Sequence, residues 1–295
     1  MEALLNTVAP VGLIVALGFL LGRRQALDLT PLSRLTLYLL VPALIFDSMR
    51  RSTLSAEAAL GLVLGFALTY ALLFLAALLL ARALGLEPPL WKTLLAGALF
   101  PNSGNMGLSL TFFALGAEGL ERAVVYFIAS SVLMFGLGPA FLRGGGVGES
   151  LLFTLRLPLF WALAGGLLLR GVPFPFRLDE GVHLLGQAAI PVLLTTLGLQ
   201  LAQTRVVVGG FEVLSSLLRL VLAPLLAHGV GLLLGLGSLE HKVLVLQSAM
   251  PTAVNAFLMS REFGGDPARA ARSVVASTLL AFLTLPLVLL ALGVR

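Results

Sequence analysis

Leu99-Phe-Pro-Asn-Ser-Gly-Asn-Met-Gly107 interrupts a long apolar stretch with one proline, two glycines and three small polar residues. Proline removes a backbone donor and clashes with the preceding helical turn, and glycine lowers the cost of unwinding. A second stretch, Ala249-Met-Pro-Thr-Ala-Val-Asn255, carries the same proline, again followed by an asparagine four residues later. We therefore expect two broken helices, at Pro101 and at Pro251, in a chain that is otherwise continuously helical.

The composition around these breaks is that of a membrane protein. Of the 295 residues, 59% are apolar and 11% are charged, against roughly 45 to 50% and 25% in soluble domains. Several apolar runs approach the ~20 residues that a helix needs to cross a bilayer. The pattern predicts an all-α membrane protein with ten transmembrane helices, near residues 7–22, 34–49, 57–81, 92–115, 123–142, 155–170, 181–203, 211–236, 242–260 and 272–293.

The prolines also indicate an internal repeat with an offset of about 150 residues. The recurring pairs are Pro10 with Pro158, Pro42 with Pro191, Pro101 with Pro251, Pro139 with Pro286, Asn105 with Asn255, and Ser130-Ser131 with Ser277-Thr278. The predicted domains are a first five-helix repeat at 1–142, a short loop at 143–150 and a second repeat at 151–295. Five spans are an odd number, so the repeats are expected to be inverted, as in many secondary transporters.

Inverted symmetry would place the two breaks side by side near the bilayer centre. Unwound backbone is tolerated there only beside protein or a watery cavity. Two half-helix N-termini would then offer partial positive charge and free N–H groups to one anion, such as a carboxylate. The predicted substrate-binding residues are Pro101, Asn102, Ser103, Asn105, Pro251, Thr252 and Asn255. The alternative is a pair of structural kinks whose asparagines cap the broken ends.

Three further polar residues inside spans are candidates for a charge or coupling role, because such residues are costly in lipid. Arg219 would either attract an anionic substrate or extend to the inner interface. Asp47 would either carry a proton or pair locally with Arg50 or Arg51. Gln200 would either reach the cavity or mark the inner end of its helix.

Other classes of protein are disfavoured. The chain has no cysteine, and its basic residues are scattered instead of clustered as nucleic acid binding requires. We expect no cofactor, no metal site and no nucleic-acid partner. We also expect no enzymatic activity, because the chain lacks the usual motifs of a hydrolase in which Ser103 and His228 would act. The basic residues favour an inner-membrane, multi-pass protein with both termini outside.

The residues also resemble a known family. Pro101 to Gly107, Ala249 to Ala256, the Glu262-Phe-Gly-Gly-Asp-Pro267 loop and Ser277 to Pro286 are similar to segments of the auxin efflux carrier family, which shares its fold with the bile acid sodium symporters. The resemblance implies a scaffold of helices 1, 2, 6 and 7, a transport domain of helices 3, 4, 5, 8, 9 and 10, carboxylate binding beside the helix crossing, and a homodimer.

The expected function is therefore alternating-access transport of a small organic carboxylate, auxin-like or malate- or malonate-like. Sodium-coupled relatives place an acidic residue at the crossing, where a cation needs oxygen ligands. Neither crossing segment has one, so sodium coupling is not expected. The alternatives are a sodium-coupled bile-acid-type symporter and a receptor that binds an anion without moving it.

Overall fold

The computed structural model describes residues 2–25, 27–138, 152, 154–204 and 207–294, and nearly all of them are helical. This confirms the predicted all-α class. Pro139 and the predicted junction at 143–150 lie outside the described residues. The helices are α1 Glu2–Arg24, α2 Thr30–Arg51, α3 Ala56–Ala83, α4 Pro88–Leu99, α5 Ser103–Leu137, α6 Pro158–Leu168, α7 Leu178–Gln203, α8 Gly210–Leu233, α9 Ser238–Ser248, α10 Asn255–Glu262 and α11 Pro267–Ala291.

Within the described residues, six helical segments are long and apolar enough, by length and composition, to cross a membrane. They are Thr30–Arg51, Ala56–Ala83, Ser103–Leu137, Pro175–Gln203, Gly210–Leu233 and Pro267–Ala291. The helices α4, α9 and α10 are shorter because the predicted breaks end or begin them. Inside α5 the backbone of Gly116 is non-helical, with φ of 68°, where the sequence predicts the boundary between the fourth and fifth spans.

Helix ends follow local chemistry. The Ser55 side chain accepts a hydrogen bond from the Ala58 amide at the start of α3, and Asp266 does the same for Arg269 at the start of α11. Beyond α3 and α8, Gly85 and Gly235 adopt left-handed φ angles of 61° and 60°. The amides that follow bond back into the last helical turn in the same pattern at both ends. Equivalent caps therefore lie 150 residues apart, the spacing of the predicted repeat.

Close helix packing depends on glycine. The helices α1 and α7 pack along their length, and α2 packs against both α6 and α7. A Cβ atom added at Gly198 would overlap the Val15 carbonyl oxygen of α1, and one added at Gly18 would overlap the Thr195 carbonyl oxygen of α7. Small residues let two helix backbones approach where lipid gives no hydrophobic drive for association. This pair of glycines therefore fixes the distance between α1 and α7.

We predict that Gly198→Ala destabilises the protein and that Gly12→Ala does not. The added methyl group at Gly198 forces α1 and α7 apart, at a cost of roughly 1–3 kcal/mol, which corresponds to an apparent melting temperature lower by about 2–12 °C. Gly12 of α1 is also a glycine, but a Cβ atom added there would meet open space. Thermal unfolding in detergent measures both variants, and equal melting temperatures would contradict the packing described.

Candidate functional site

The two broken segments lie against each other. The Asn102 amide donates to the Pro251 carbonyl at 2.7 Å, and the Ala253 amide donates to the Phe100 carbonyl at 2.8 Å. Together they form a short antiparallel bridge in which Pro101 faces Thr252. Buried backbone groups need partners, and here each break supplies a partner to the other.

Hydroxyl groups hold each break to a more distant helical segment, which is the part of α5 beyond Gly116 for the first break and α11 for the second. Ser103 and Ser130 share a hydrogen bond of 2.7 Å between their Oγ atoms. On the other side, the Thr252 amide donates to Ser277 Oγ at 3.1 Å. Ser130 and Ser277 are members of the repeated pairs seen in the sequence, so the two breaks are held in similar ways.

A cavity of about 210 Å³ lies beside the bridge, among α2, α5, α7 and the start of α10. Six predicted residues line it: Pro101, Asn102, Ser103, Asn105, Gln200 and Asn255. The other lining residues were not among the predicted site residues: Ser33, Thr36, Leu37, Val41, Gly104, Phe127, Ser130, Ser131, Met134, Phe135, Leu159, Leu193, Thr196, Ala253 and Val254. Gly104, Ala253 and Val254 lie inside the two broken stretches, Ser130 and Ser131 occupy repeated positions, and most of the others lie on helices that are distant in the chain.

The cavity has polar atoms but no charge. Of the lining residues in the described part of the chain, none has an ionisable carboxylate, amine, guanidinium or imidazole. Asn102 Nδ2 and Gln200 Oε1 are buried and have no hydrogen-bond partner among the described residues. A buried amide without a partner costs free energy, so these two atoms indicate a place for a polar ligand. Asn255 is exposed and Asn105 half-buried, and both face the cavity as lining residues.

The helices also contribute electrostatics. α5 begins at Ser103 and α10 begins at Asn255, and both residues line the cavity. A helix N-terminus carries about half a positive charge and unpaired N–H groups. The cavity therefore combines two positive helix ends with neutral hydrogen-bonding side chains, an arrangement that suits a small anion.

Thr252 and Pro251 are close to the cavity but do not line it. The Thr252 hydroxyl donates to the Gly97 carbonyl at 2.9 Å, and the Pro251 carbonyl is taken by Asn102. Both residues support the bridge behind the cavity, while direct contact with a substrate stays a prediction.

Asp47 also lies outside the lining. Its carboxylate accepts from Arg51 Nε at 2.8 Å and contacts His183 Nδ1 at 2.7 Å. Of the two expected local partners it therefore takes Arg51, while Arg50 pairs with Asp179 of α7 at 3.0 Å. His183, which was not a predicted site residue, thus joins α7 to α2 through Asp47.

Arg219 is fully buried in α8, and it neither lines the cavity nor extends to an interface. Its guanidinium donates to the backbone carbonyls of Ala98 and Ser248. Both carbonyls lie at the ends of the helices that precede the breaks, and neither Ala98 nor Ser248 lines the cavity.

Comparison with known proteins assigns the chain to a family. The model of the membrane transport protein family matches residues 3–142 and 148–289. The chain belongs to this family. With its several apolar helices, it is a multi-pass membrane protein of the auxin efflux carrier type, as the resemblance in the sequence indicated.

Three relatives are similar over different extents. An uncharacterized transporter of Methanothermobacter thermautotrophicus is 31% identical, with 96% of each chain covered. A putative malonate transporter of Rhizobium meliloti is 27% identical, covering 96% of this chain and 94% of the relative. Auxin efflux carrier component 8 of Arabidopsis thaliana is 29% identical over 44% of this chain and 34% of its own.

We predict that Gln200→Glu weakens anion binding. A carboxylate in this neutral, half-enclosed cavity repels a bound anion by about 3–4 kcal/mol at 4–5 Å and an effective dielectric constant of 20, enough to lower affinity well beyond tenfold. Gln203→Glu is the matched control, since Gln203 lies one turn further along α7 and is not part of the cavity lining. Binding of carboxylic acids is measured by thermal shift, and equal effects of both changes would argue against the cavity as the site.

Proposed function

We propose that the protein is a secondary transporter that carries a small organic carboxylate anion across the cell membrane by alternating access, without sodium coupling. The single observation that carries this proposal is the neutral cavity bounded by the N-terminal ends of α5 and α10. Membership of the family supports transport as the function, and the cavity supports a small anion as the cargo.

The proposed topology has ten membrane crossings in two inverted five-helix repeats. The broken pairs α4 with the start of α5, and α9 with α10, each form one crossing, and they meet at the bridge near the bilayer centre. The equivalent caps at Gly85 and Gly235 and the paired serines support the repeat. We place both termini on the outer side, because this orientation puts more arginine and lysine residues in the inner loops.

The cargo is proposed to be held by several weak contacts instead of one ion pair. Two helix N-termini supply about one positive charge in total, and Asn102, Asn105 and Asn255 supply neutral donors. One relative is named for malonate, a dicarboxylate, and another for auxin, an aromatic monocarboxylate, so both classes of acid are candidates for the cargo. A site with about one unit of positive charge favours a single bound carboxylate group.

The absence of charged lining residues among the described positions supports transport without sodium. Na⁺, like other hard cations, is held by oxygen ligands that commonly include a carboxylate, and neither broken stretch, Leu99 to Gly107 or Ala249 to Asn255, contains one. The two helix N-termini that face the cavity also disfavour a cation at that place.

Alternating access is proposed to occur between two groups of helices. α1, α2, α6 and α7 pack on one another, and the bridge with its neighbours packs as a second group. The cavity lies between them, with α2 and α7 on one side and α5 and α10 on the other. Relative movement of the groups would expose it to each side of the membrane in turn.

Counterflow in proteoliposomes tests this function. Vesicles loaded with unlabelled malonate or indole-3-acetate should accumulate the labelled acid above protein-free vesicles, equally in sodium and choline buffers. Strict sodium dependence would favour a bile-acid-type symporter instead. Binding of an acid without counterflow would indicate a receptor, and no exchange of any carboxylate would overturn the proposal.

We predict that Asn105→Ala and Asn255→Ala each raise the KM for the transported acid by about five- to tenfold, the loss expected for one hydrogen bond. Thr195→Ala is the control, because the Thr195 hydroxyl bonds within its own helix to the Pro191 carbonyl. Initial rates of uptake give the KM values. Unchanged values in both asparagine variants would place the anion elsewhere.

A further inference from the structure

Arg219 occupies a position that the transport cavity does not explain. Its side chain is fully buried in α8. Nη1 donates to the Ala98 carbonyl at 2.6 Å, and Nη2 donates to the Ser248 carbonyl. One guanidinium thus joins the last turn of α4 to the last residue of α9.

These two carbonyls occupy equivalent positions in the repeat, and each has lost the amide that would be its partner in a continuous helix. In a continuous helix the Ala98 oxygen would accept from the amide of Asn102, and the Ser248 oxygen would accept from the amide of Thr252. The Asn102 amide instead donates to Pro251, and the Thr252 amide donates to Ser277 Oγ. Arg219 therefore supplies, from one side chain, the donors that both breaks remove.

The charge of Arg219 is balanced in an unusual way. Arg219 makes no ion pair with any carboxylate in the described part of the chain. A buried, uncompensated charge is costly, but each helix C-terminus carries about half a negative charge. The ends of α4 and α9 together provide about one, which matches one guanidinium.

Aromatic and hydroxyl groups complete the enclosure. The guanidinium lies over the Tyr70 ring, 5.3 Å from its centroid, which is a favourable position for a cation. The Tyr70 hydroxyl shares a hydrogen bond of 2.7 Å with the Tyr126 hydroxyl, which lies 3.1 Å from Ser248 Oγ. The network therefore returns to Ser248, whose carbonyl Arg219 binds.

We propose that Arg219 is a positioning residue for transport, which holds the C-terminal ends of α4 and α9 in register so that the helix N-termini that follow the two breaks form one anion cavity. This inference rests on the proposed function. Arg219 acts through Asn102, Asn105 and Asn255 and does not contact the anion. Losing one of its two contacts would let one break shift relative to the other and misalign the cavity.

The positioning role depends on the two nitrogen donors of one guanidinium, which bind two carbonyls at once. Arginine presents several donors in a rigid plane, whereas lysine is a compact charge on a flexible stem. Arg219→Lys keeps the charge but is not expected to serve both carbonyls together. Arg219→Gln removes the charge as well. A role through charge alone would spare the lysine variant, and a positioning role would not.

The first test compares Arg219→Lys and Arg219→Gln with Arg82→Lys and Arg82→Gln, because Arg82 is exposed at the end of α3. Both Arg219 variants should raise the KM for the transported acid by about tenfold or more, as expected for the loss of a hydrogen bond to a charged group. The Arg82 variants should retain the original KM. If Arg219→Lys keeps the KM of the unaltered protein, the proposal is overturned. Failure of both Arg219 variants to elute as folded protein would also overturn it, in favour of a purely structural role.

The second test does not depend on transport. Because the chain has no cysteine, Val254→Cys introduces a single thiol into the cavity lining. We expect its rate of modification by a charged, water-soluble thiol reagent to change severalfold when Arg219→Lys is added, and not when Arg82→Lys is added. Equal rates in all three proteins would refute the positioning role. If the unaltered protein exchanges no carboxylate, the proposed function fails, whereas this labelling still reports on Arg219.

Discussion

The fold depends on the requirement that backbone groups freed inside a membrane protein find partners in the protein itself. Proline at 101 and at 251 ends two helices where water is scarce, and neither break can satisfy its own N–H and C=O groups. The hydrogen bonds from Asn102 to Pro251 and from Ala253 to Phe100 solve this problem reciprocally. Each break is stable only beside the other, so the two halves of the chain must meet at this point.

The meeting of the breaks also separates charge. The C-terminal ends of α4 and α9 carry about one unit of negative charge together, and the N-terminal ends of α5 and α10 carry about one unit of positive charge. The protein's own Arg219 binds the negative pair. The positive pair borders a neutral cavity and is left for a ligand, which gives a physical reason for an anionic cargo in a site without basic side chains.

Sequence reasoning was most successful where the signal was local. Proline and glycine act on their own backbone, so both breaks appear where they were predicted, and neighbouring polar residues such as Asn102 and Asn105 follow into the cavity. It was weaker for side chains whose partners are remote in the chain. Arg219 was expected to meet an anion or an interface, yet its partners are carbonyls 121 and 29 residues away.

The sequence by itself determined that the chain is helical, apolar enough for a membrane and interrupted twice by equivalent motifs, because composition, periodicity and proline stereochemistry are local properties. The tertiary structure alone decided which atoms meet: that Thr252 supports the bridge while Asn255 faces the cavity, and that Thr36 and Thr196 help to line it. A helix of known sequence can rotate and slide without changing its own hydrogen bonds. Only packing against its neighbours fixes which face it presents.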